Sequence, residues 1–207
     1  MFDRIIEDKI TKKLNKGKAI ILVGARQVGK TTLLKQILEG KKYLFLDADD
    51  PATRNLLEAP TTEQLRTYIG NWKYVFLDEA QRISGIGLTL KIIVDQFKDV
   101  QLLVSGSSSF DLGNELNEPL TGRKWEYELF PISWVEYENK LGVIKTEQQL
   151  ENRLLYGFYP DVINNQGEEQ EILKNLVNSY LYRDLLTFTD IKKPEVLEKL
   201  LQALALQ

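Results

Sequence analysis

Four short apolar runs, at residues 19–23, 43–46, 74–77 and 101–104, alternate along the chain with stretches whose apolar residues recur every three or four positions. Runs that are nearly continuous in Ile, Val, Leu and aromatics suit strands covered on both faces. Their alternation with helical patterns predicts a parallel sheet with crossover helices, an α/β fold. A fifth run, 125–130, alternates instead: Trp125, Tyr127 and Leu129 fall on one face, Glu126 and Glu128 on the other. That is the pattern of an edge strand. Pro131 ends it, and Ser133 followed three residues later by Glu136 is a capping box that opens a helix.

The chain begins with a short helical pattern whose apolar face is Ile6, Ile10 and Leu14. Lys9, Lys12, Lys13, Lys16 and Lys18 are read as its solvated side and are given no function. Beyond residue 148 only helical periodicity remains, with Leu173, Leu176, Val177, Tyr180, Leu181 and Leu185 in register. The segment 195–207 aligns Leu197, Leu200, Leu201 and Leu204 on one face with no capping signal after it. The expected organisation is a nucleotide-binding domain over 1–147 and a helical extension or lid over 148–207, continued by a further domain.

Composition narrows the chemistry. At 207 residues, with 43% hydrophobic and 28% charged residues, the chain can fold around one good core with an appendage. Cysteine and histidine are both absent, which removes disulfides, Cys/His zinc sites, thiol nucleophiles and imidazole bases, so any general base is a carboxylate. The first residues lack the apolar core of a signal peptide, and no apolar run approaches the roughly 18 residues that span a bilayer. A cytoplasmic location is the resulting expectation. A net charge of -3 gives no overall attraction to nucleic acid.

The segment GARQVGKT at 24–31 fits G-x-x-x-x-G-K-[ST] and follows a predicted strand directly. In such a loop Gly24, Ala25, Arg26, Gln27, Val28 and Gly29 wrap backbone N–H groups around the β-phosphate, and the helix expected over 31–39 adds its positive end. Lys30 reaches the β- and γ-phosphates, and the Thr31 hydroxyl is placed for Mg2+; Thr32 caps the helix or approaches the α-phosphate. Arg26 is expected to face solvent or a partner. The run YVFLDE, 74–79, ends an apolar strand in two acids. Asp78 suits Mg2+, largely through water, and Glu79 suits polarising a water for attack on the γ-phosphate. The alternative, that the two acids cap the next helix, requires an acid buried at a strand end without a cation.

Two further assignments stay open at this stage. Ser107, at the tip of the fourth strand, either holds the attacking water or γ-phosphate or belongs to an ordinary turn, where Ser108 and Asp111 also make a capping box. Arg123 either acts as an arginine finger or pairs with Glu126 or Glu128. Arg183–Asp184 reads as a surface ion pair. GTP is disfavoured, because the nearest match to a guanine-reading N-K-x-D is Asn139-Lys140-Leu141-Gly142, which lacks the aspartate. The glycine pattern of a dinucleotide site is also missing.

With these residues in hand, the chain resembles a prokaryotic family of AAA-superfamily ATPases in which this domain precedes a C-terminal domain of unknown function with a winged-helix unit. The stretches that carry the resemblance are GARQVGKTTLLKQ, YVFLDEAQRI, LLVSGSSSFDL, LTGRKWEYELFPISWVEY, YGFYPDVI and YLYRDLL, in the family's order. The resemblance implies a three-layer P-loop fold with a five-stranded, mainly parallel sheet in strand order 5-1-4-3-2, with Mg2+-dependent ATP binding and Glu79 as catalytic glutamate. It implies as well that Arg123 matters and that a winged helix begins near Gln207. Three functions fit: an ATP hydrolase that moves a macromolecular partner, a nucleotide-controlled switch, and a DNA-associated regulator working through the further domain.

Overall fold

The computed structural model describes residues 2–107 and 118–178, together with Val196, Lys199, Leu200, Ala203 and Leu204. The chain divides into two compact units, residues 1–150 and 151–207. Among the described residues no helix is long and apolar enough to cross a membrane.

The first unit is built on five strands: β1 (Ala19–Gly24), β2 (Leu44–Asp47), β3 (Tyr74–Asp78), β4 (Gln101–Ser107) and β5 (Lys124–Leu129). They lie in the order β2-β3-β4-β1-β5, and every neighbouring pair is parallel. This is the expected order read from the other edge, in a sheet that is wholly rather than mainly parallel. Parallel neighbours require crossovers, and helices supply them. α1 (Ile5–Thr11) precedes β1, α2 (Lys30–Ile37) follows it, α3 (Pro51–Leu57) and α4 (Thr62–Ile69) lie between β2 and β3, and α5 (Ile86–Gln96) leads into β4. After β5 come α6 (Trp134–Leu141) and α7 (Val143–Gln148).

The central strands β1, β3 and β4 are buried as their continuous apolar runs demand, but β2, expected to be covered on both faces, lies at the other edge of the sheet and leaves Phe45 37% exposed. Ala19 to Leu22 in β1 and Leu102 to Val104 in β4 have almost no exposed surface. Alternate residues of the two strands, Ala19 and Ile21 with Leu102 and Val104, share a core with Leu65 and Ile69 of α4 and Ile86, Leu90 and Ile93 of α5. The edge strand β5 behaves as its alternation predicts: Glu126 and Glu128 are exposed while Leu129 is buried. It stops at Leu129, one residue before the expected end. The Ser133 side chain accepts from the Glu136 amide at 3.2 Å, completing the capping box of α6.

One local expectation is revised. Helix α1 ends at Thr11, so Leu14 and the lysines from Lys13 onward lie beyond it. The Nζ atoms of Lys13 and Lys18 sit 4.1 and 4.5 Å from the centre of the Trp125 ring, which draws them to the start of β5 instead of open solvent.

The second unit contains most of α8 (Leu150–Tyr156), with α9 (Pro160–Asn164) and α10 (Glu169–Leu176). It closes on a buried charge pair. Arg153 is 1% exposed and approaches Glu169 at 3.6 Å, while Asn152 and the Gly167 amide donate to the same carboxylate at 3.3 and 2.7 Å. Leu173 and Leu176 are half-buried as their spacing suggests, whereas Val177, expected on the same face, is exposed. The expectations for Tyr180, Leu181, Arg183, Asp184 and Leu185 lie outside the described residues.

Candidate functional site

The parallel register gathers the polar residues of three central strands at one edge of the sheet. Gly24 ends β1 beside Ser107 of β4 and Leu129 of β5, and Asp78 ends β3 between Asp47 of β2 and the outer half of β4. The carboxyl ends of strands in an open α/β sheet are where such folds bind ligands.

From Gly24 the chain turns through residues 25–29 into α2. A Cβ on Gly24 would lie 2.3 Å from the Leu129 carbonyl oxygen, so only glycine allows β1 and β5 to run side by side to this point. Gly29 takes a left-handed conformation, φ 96° and ψ 24°, immediately before the first turn of α2. Gln27 is left-handed too, φ 61°, with its side chain exposed. Among the predicted loop residues Val28 is fully buried, and Ala25, Arg26 and Gly29 are half-buried. Thr32 is exposed on the first turn of α2.

Lys30 is only 5% exposed, and its Nζ donates to the carbonyl oxygens of Gly24 at 2.9 Å and Ala25 at 2.8 Å. The ammonium is thus held over the loop by the loop's own backbone. Burial pushes its pKa down; the carboxylates of Glu79 and Asp78 pull it back, and the Arg26 charge pushes it down again, leaving it below the ordinary lysine range. The Arg26 side chain, expected to face solvent or a partner, is half-buried, with its Nε shielded from solvent.

Thr31 and Asp78 meet directly: the threonine hydroxyl donates to Asp78 Oδ1 at 3.0 Å. The same carboxylate oxygen accepts from the Ser105 hydroxyl, and Ser105 Oγ in turn accepts from the Glu79 amide at 3.2 Å. Glu79 itself sits in a left-handed conformation, φ 54° and ψ 41°, which turns the chain sharply off the end of β3. Its carboxylate accepts from the Gln81 side-chain amide, whose oxygen accepts from the Ser107 backbone amide at 3.1 Å. Lys30, Thr31, Asp78, Glu79 and Ser107 are therefore brought together. The expected capping box of Ser108 and Asp111 lies outside the described residues.

Arg123 is not brought to this cluster. It precedes β5, and β5 runs parallel to β1 with Lys124 beside Ala19 and Leu129 beside Gly24. Arg123 therefore lies at the opposite end of the sheet, a strand of six residues at about 3.3 Å each, or about 20 Å, from the loop. Its partner is Asp95 of α5 at 2.8 Å, not Glu126 or Glu128; Lys124 pairs with Glu126. The Asp95 hydrogen bond and charge raise the Arg123 pKa further.

Two residues at the site had no signal strong enough to single them out. Ser105 was one serine among several after an apolar run. Strand register distinguishes it, because β3 and β4 align from Tyr74 with Gln101 to Leu77 with Val104, which puts the next residues, Asp78 and Ser105, side by side. Gln81 follows the acidic pair in a 3-10 turn, Ala80–Arg82, and nothing in its spacing predicts the contact with Glu79.

The donor set fits Mg2+. Thr31 and Asp78 offer hard oxygen donors side by side, the kind of ligand that Mg2+ takes directly or through water. Among the described residues no three acidic, His or Cys side chains converge on a common point. One or two protein donors completed by phosphate and water is how Mg2+ is usually held.

Residues 16–138 match a family model described as AAA domain, and 147–207 match a domain of unknown function, DUF8612. The chain belongs to the AAA domain family. This AAA domain has curated relatives whose roles are themselves uncharacterised. One is MJ1544 of Methanocaldococcus jannaschii, 25% identical over 96% of this chain and 49% of the relative. Another, from Haemophilus influenzae, is 23% identical over 89% of this chain and 50% of the relative. The chain thus spans about half the length of these relatives. Among solved structures, the AAA domain is similar to the Walker-type ATPase PABY2304 of Pyrococcus abyssi, with a TM-score of 0.56, 16% identity, and coverage of 98% of this chain and 76% of that one. It is also similar to the Aeropyrum pernix Orc1 protein solved in complex with DNA, with a TM-score of 0.50, 15% identity, and coverage of 72% and 50%. At these identities the two structures speak to the fold.

Proposed function

We propose that this AAA domain binds ATP with Mg2+ at the loop 24–31 and hydrolyses it to ADP and phosphate. The observation that carries the reading is the contact between Thr31 and Asp78, which joins the loop to the acidic end of β3 at 3.0 Å. In this reading the loop amides and Lys30 hold the phosphates, exchanging the Gly24 and Ala25 carbonyls for phosphate oxygens, and Thr31 and Asp78 hold Mg2+. The ion, when bound, would neutralise charge developing on the phosphate oxygens. Glu79 is the group that orients and polarises water, in a chain that has no histidine to do so. Ser107, whose amide is tied through Gln81 to Glu79, would hold the attacking water or the γ-phosphate, and that tie supports the reading. Residues 148–207 would respond to turnover and act on a macromolecular partner.

The test is nucleotide binding and steady-state turnover with Mg2+, with ATP and GTP compared. Hydrogen bonds to a charged group contribute about 1.5–3 kcal/mol, so Lys30→Ala should weaken ATP binding roughly ten- to hundredfold. Glu79→Gln should keep binding and lose turnover by about 10²–10⁴-fold, the usual contribution of a general base. No ATP binding by the unmutated chain would sink the reading.

One observation favours a second reading, a nucleotide-controlled switch with little turnover. The Glu79 carboxylate is engaged by Gln81, so hydrolysis requires that contact to open. If Gln81→Ala raises turnover severalfold, the contact is a brake and the switch reading gains; an unchanged rate removes its support.

A further inference from the structure

The peptide between Val28 and Gly29 is gripped from far along the chain. The carbonyl oxygen of the buried Val28 accepts from Arg4 Nη1 at 3.0 Å. The same guanidinium gives Nη2 to the carbonyls of Phe130 at 2.6 Å and Pro131 at 3.4 Å, and Nε to Glu136 Oε1 at 3.1 Å. Glu136 Oε1 also accepts from the Ile5 amide, and Oε2 from the Ser133 amide, each at 2.8 Å. The Arg4 and Glu136 side chains are 8% and 6% exposed. Arg4 therefore joins the phosphate loop, the end of β5 and the start of α6 in one buried knot.

The geometry points to Arg4, oriented by Glu136, as a positioning residue for the phosphate loop. The inference rests on the nucleotide reading above. A trans peptide is planar, with its C=O and N–H on opposite sides, and the described chain has no cis peptide. Fixing the Val28 carbonyl toward Arg4 consequently aims the Gly29 N–H the other way, toward the inside of the loop. Gly29, at φ 96°, has the backbone freedom to let this peptide rotate, and Arg4 removes that freedom. A loop whose amides are already aimed binds phosphate without the cost of ordering them.

The residue types suit the task. A guanidinium presents its donors in a rigid planar fork, so one orientation serves Val28, the β5 end and Glu136 together, whereas a lysine ammonium could satisfy only part of the set. Glu136 sets that orientation while accepting the two backbone amides that fix its own position. Neither Arg4 nor Glu136 touches the phosphate site directly, so both act through the Val28–Gly29 peptide.

The experiment uses the full chain: the unmutated protein, Arg4→Lys and Arg4→Gln. MgATP affinity, melting temperature and, without nucleotide, amide hydrogen exchange over residues 28–31 and over the β1 and β4 core are measured. Arg4→Gln should weaken MgATP by at least tenfold and Arg4→Lys by less, with loop amides exchanging at least tenfold faster while core amides keep their rates. A folded Arg4→Gln protein with affinity within twofold of the unmutated chain would overturn the assignment. So would faster exchange throughout the core, which marks a merely structural role. If Arg4→Gln does not fold, Arg4→Lys carries the same readouts. Should the unmutated chain bind no ATP, the hydrolase reading falls, and the nucleotide-free exchange alone decides the role of Arg4: faster at 28–31 upholds it, unchanged there rejects it.

Discussion

A methyl group at position 24 has nowhere to go, because its carbon would lie 2.3 Å from a backbone oxygen of Leu129 that the sheet itself holds in place. Gly24→Ala must then part β1 from β5 at their ends or bend the loop. Overpacking of this kind costs about 1–3 kcal/mol, which should appear as a lower urea midpoint. The same variant should lose ATP affinity, since the loop begins where the strands part. At Ser105 the difficulty is reversed: something is taken away. Ser105→Ala leaves Asp78 without one donor and the Glu79 amide without its acceptor, in a position with no solvent access. Unsatisfied buried groups cost about 1–3 kcal/mol each, so the variant should unfold at lower urea. It should also need more Mg2+ to half-saturate nucleotide binding, because Asp78 loses one of the two hydroxyls that orient it. An unchanged Mg2+ requirement would separate Ser105 from the metal's ligands.

At the scale of elements, strands were legible where one physical signal dominated. The apolar runs at 19–23, 74–77 and 101–104 had no reading but buried strands, and the capping box at Ser133 and Glu136 marked the start of α6 to the residue. The loop 24–31 was legible because its chemistry needs those residue types at that spacing. What stayed hidden depended on contacts distant in sequence: Arg4 with Val28 and Glu136, Ser105 with Asp78, Arg123 with Asp95. Glu136 shows why. As a capping residue it is recognisable from sequence alone, but its second duty needs the start of α1 folded against α6. Burial opposes its charge, yet the Ser133 and Ile5 amides and the Arg4 guanidinium outweigh this and hold the carboxyl below the ordinary glutamate range. A lowered folded-state pKa means that its contribution is complete above the unfolded value and fades as pH falls through the folded one. The urea midpoint of the unmutated chain should therefore exceed that of Glu136→Gln at neutral pH. The gap should close on acidification, and a constant gap between pH 7 and pH 3.5 would show that the charge is not what matters.

For the molecule as a whole, every residue placed at the candidate site, from Arg4 through Gly24–Lys30, Thr31, Asp78, Glu79, Gln81, Ser105 and Ser107 to Glu136, falls within residues 1–150. The five strands and the apolar cluster that support them fall there too. A unit with its own sheet, core and site should fold without the rest, and 150 residues is ample for a single core. The fragment 1–150 is accordingly expected to unfold cooperatively and to bind MgATP within about threefold of the full chain. Linkage gives the size of the accompanying signal: ligand at a hundred times its Kd stabilises by about 2.7 kcal/mol. A domain of this size shifts by roughly 2–4 °C per kcal/mol, so saturating MgATP should raise its melting temperature by about 5–10 °C. Calorimetry of the fragment with and without nucleotide checks both numbers. If the fragment folds yet shows no shift while the full chain does, residues 151–207 contribute to the nucleotide site, and the extension would have to be treated as part of the binding machinery instead of its responder.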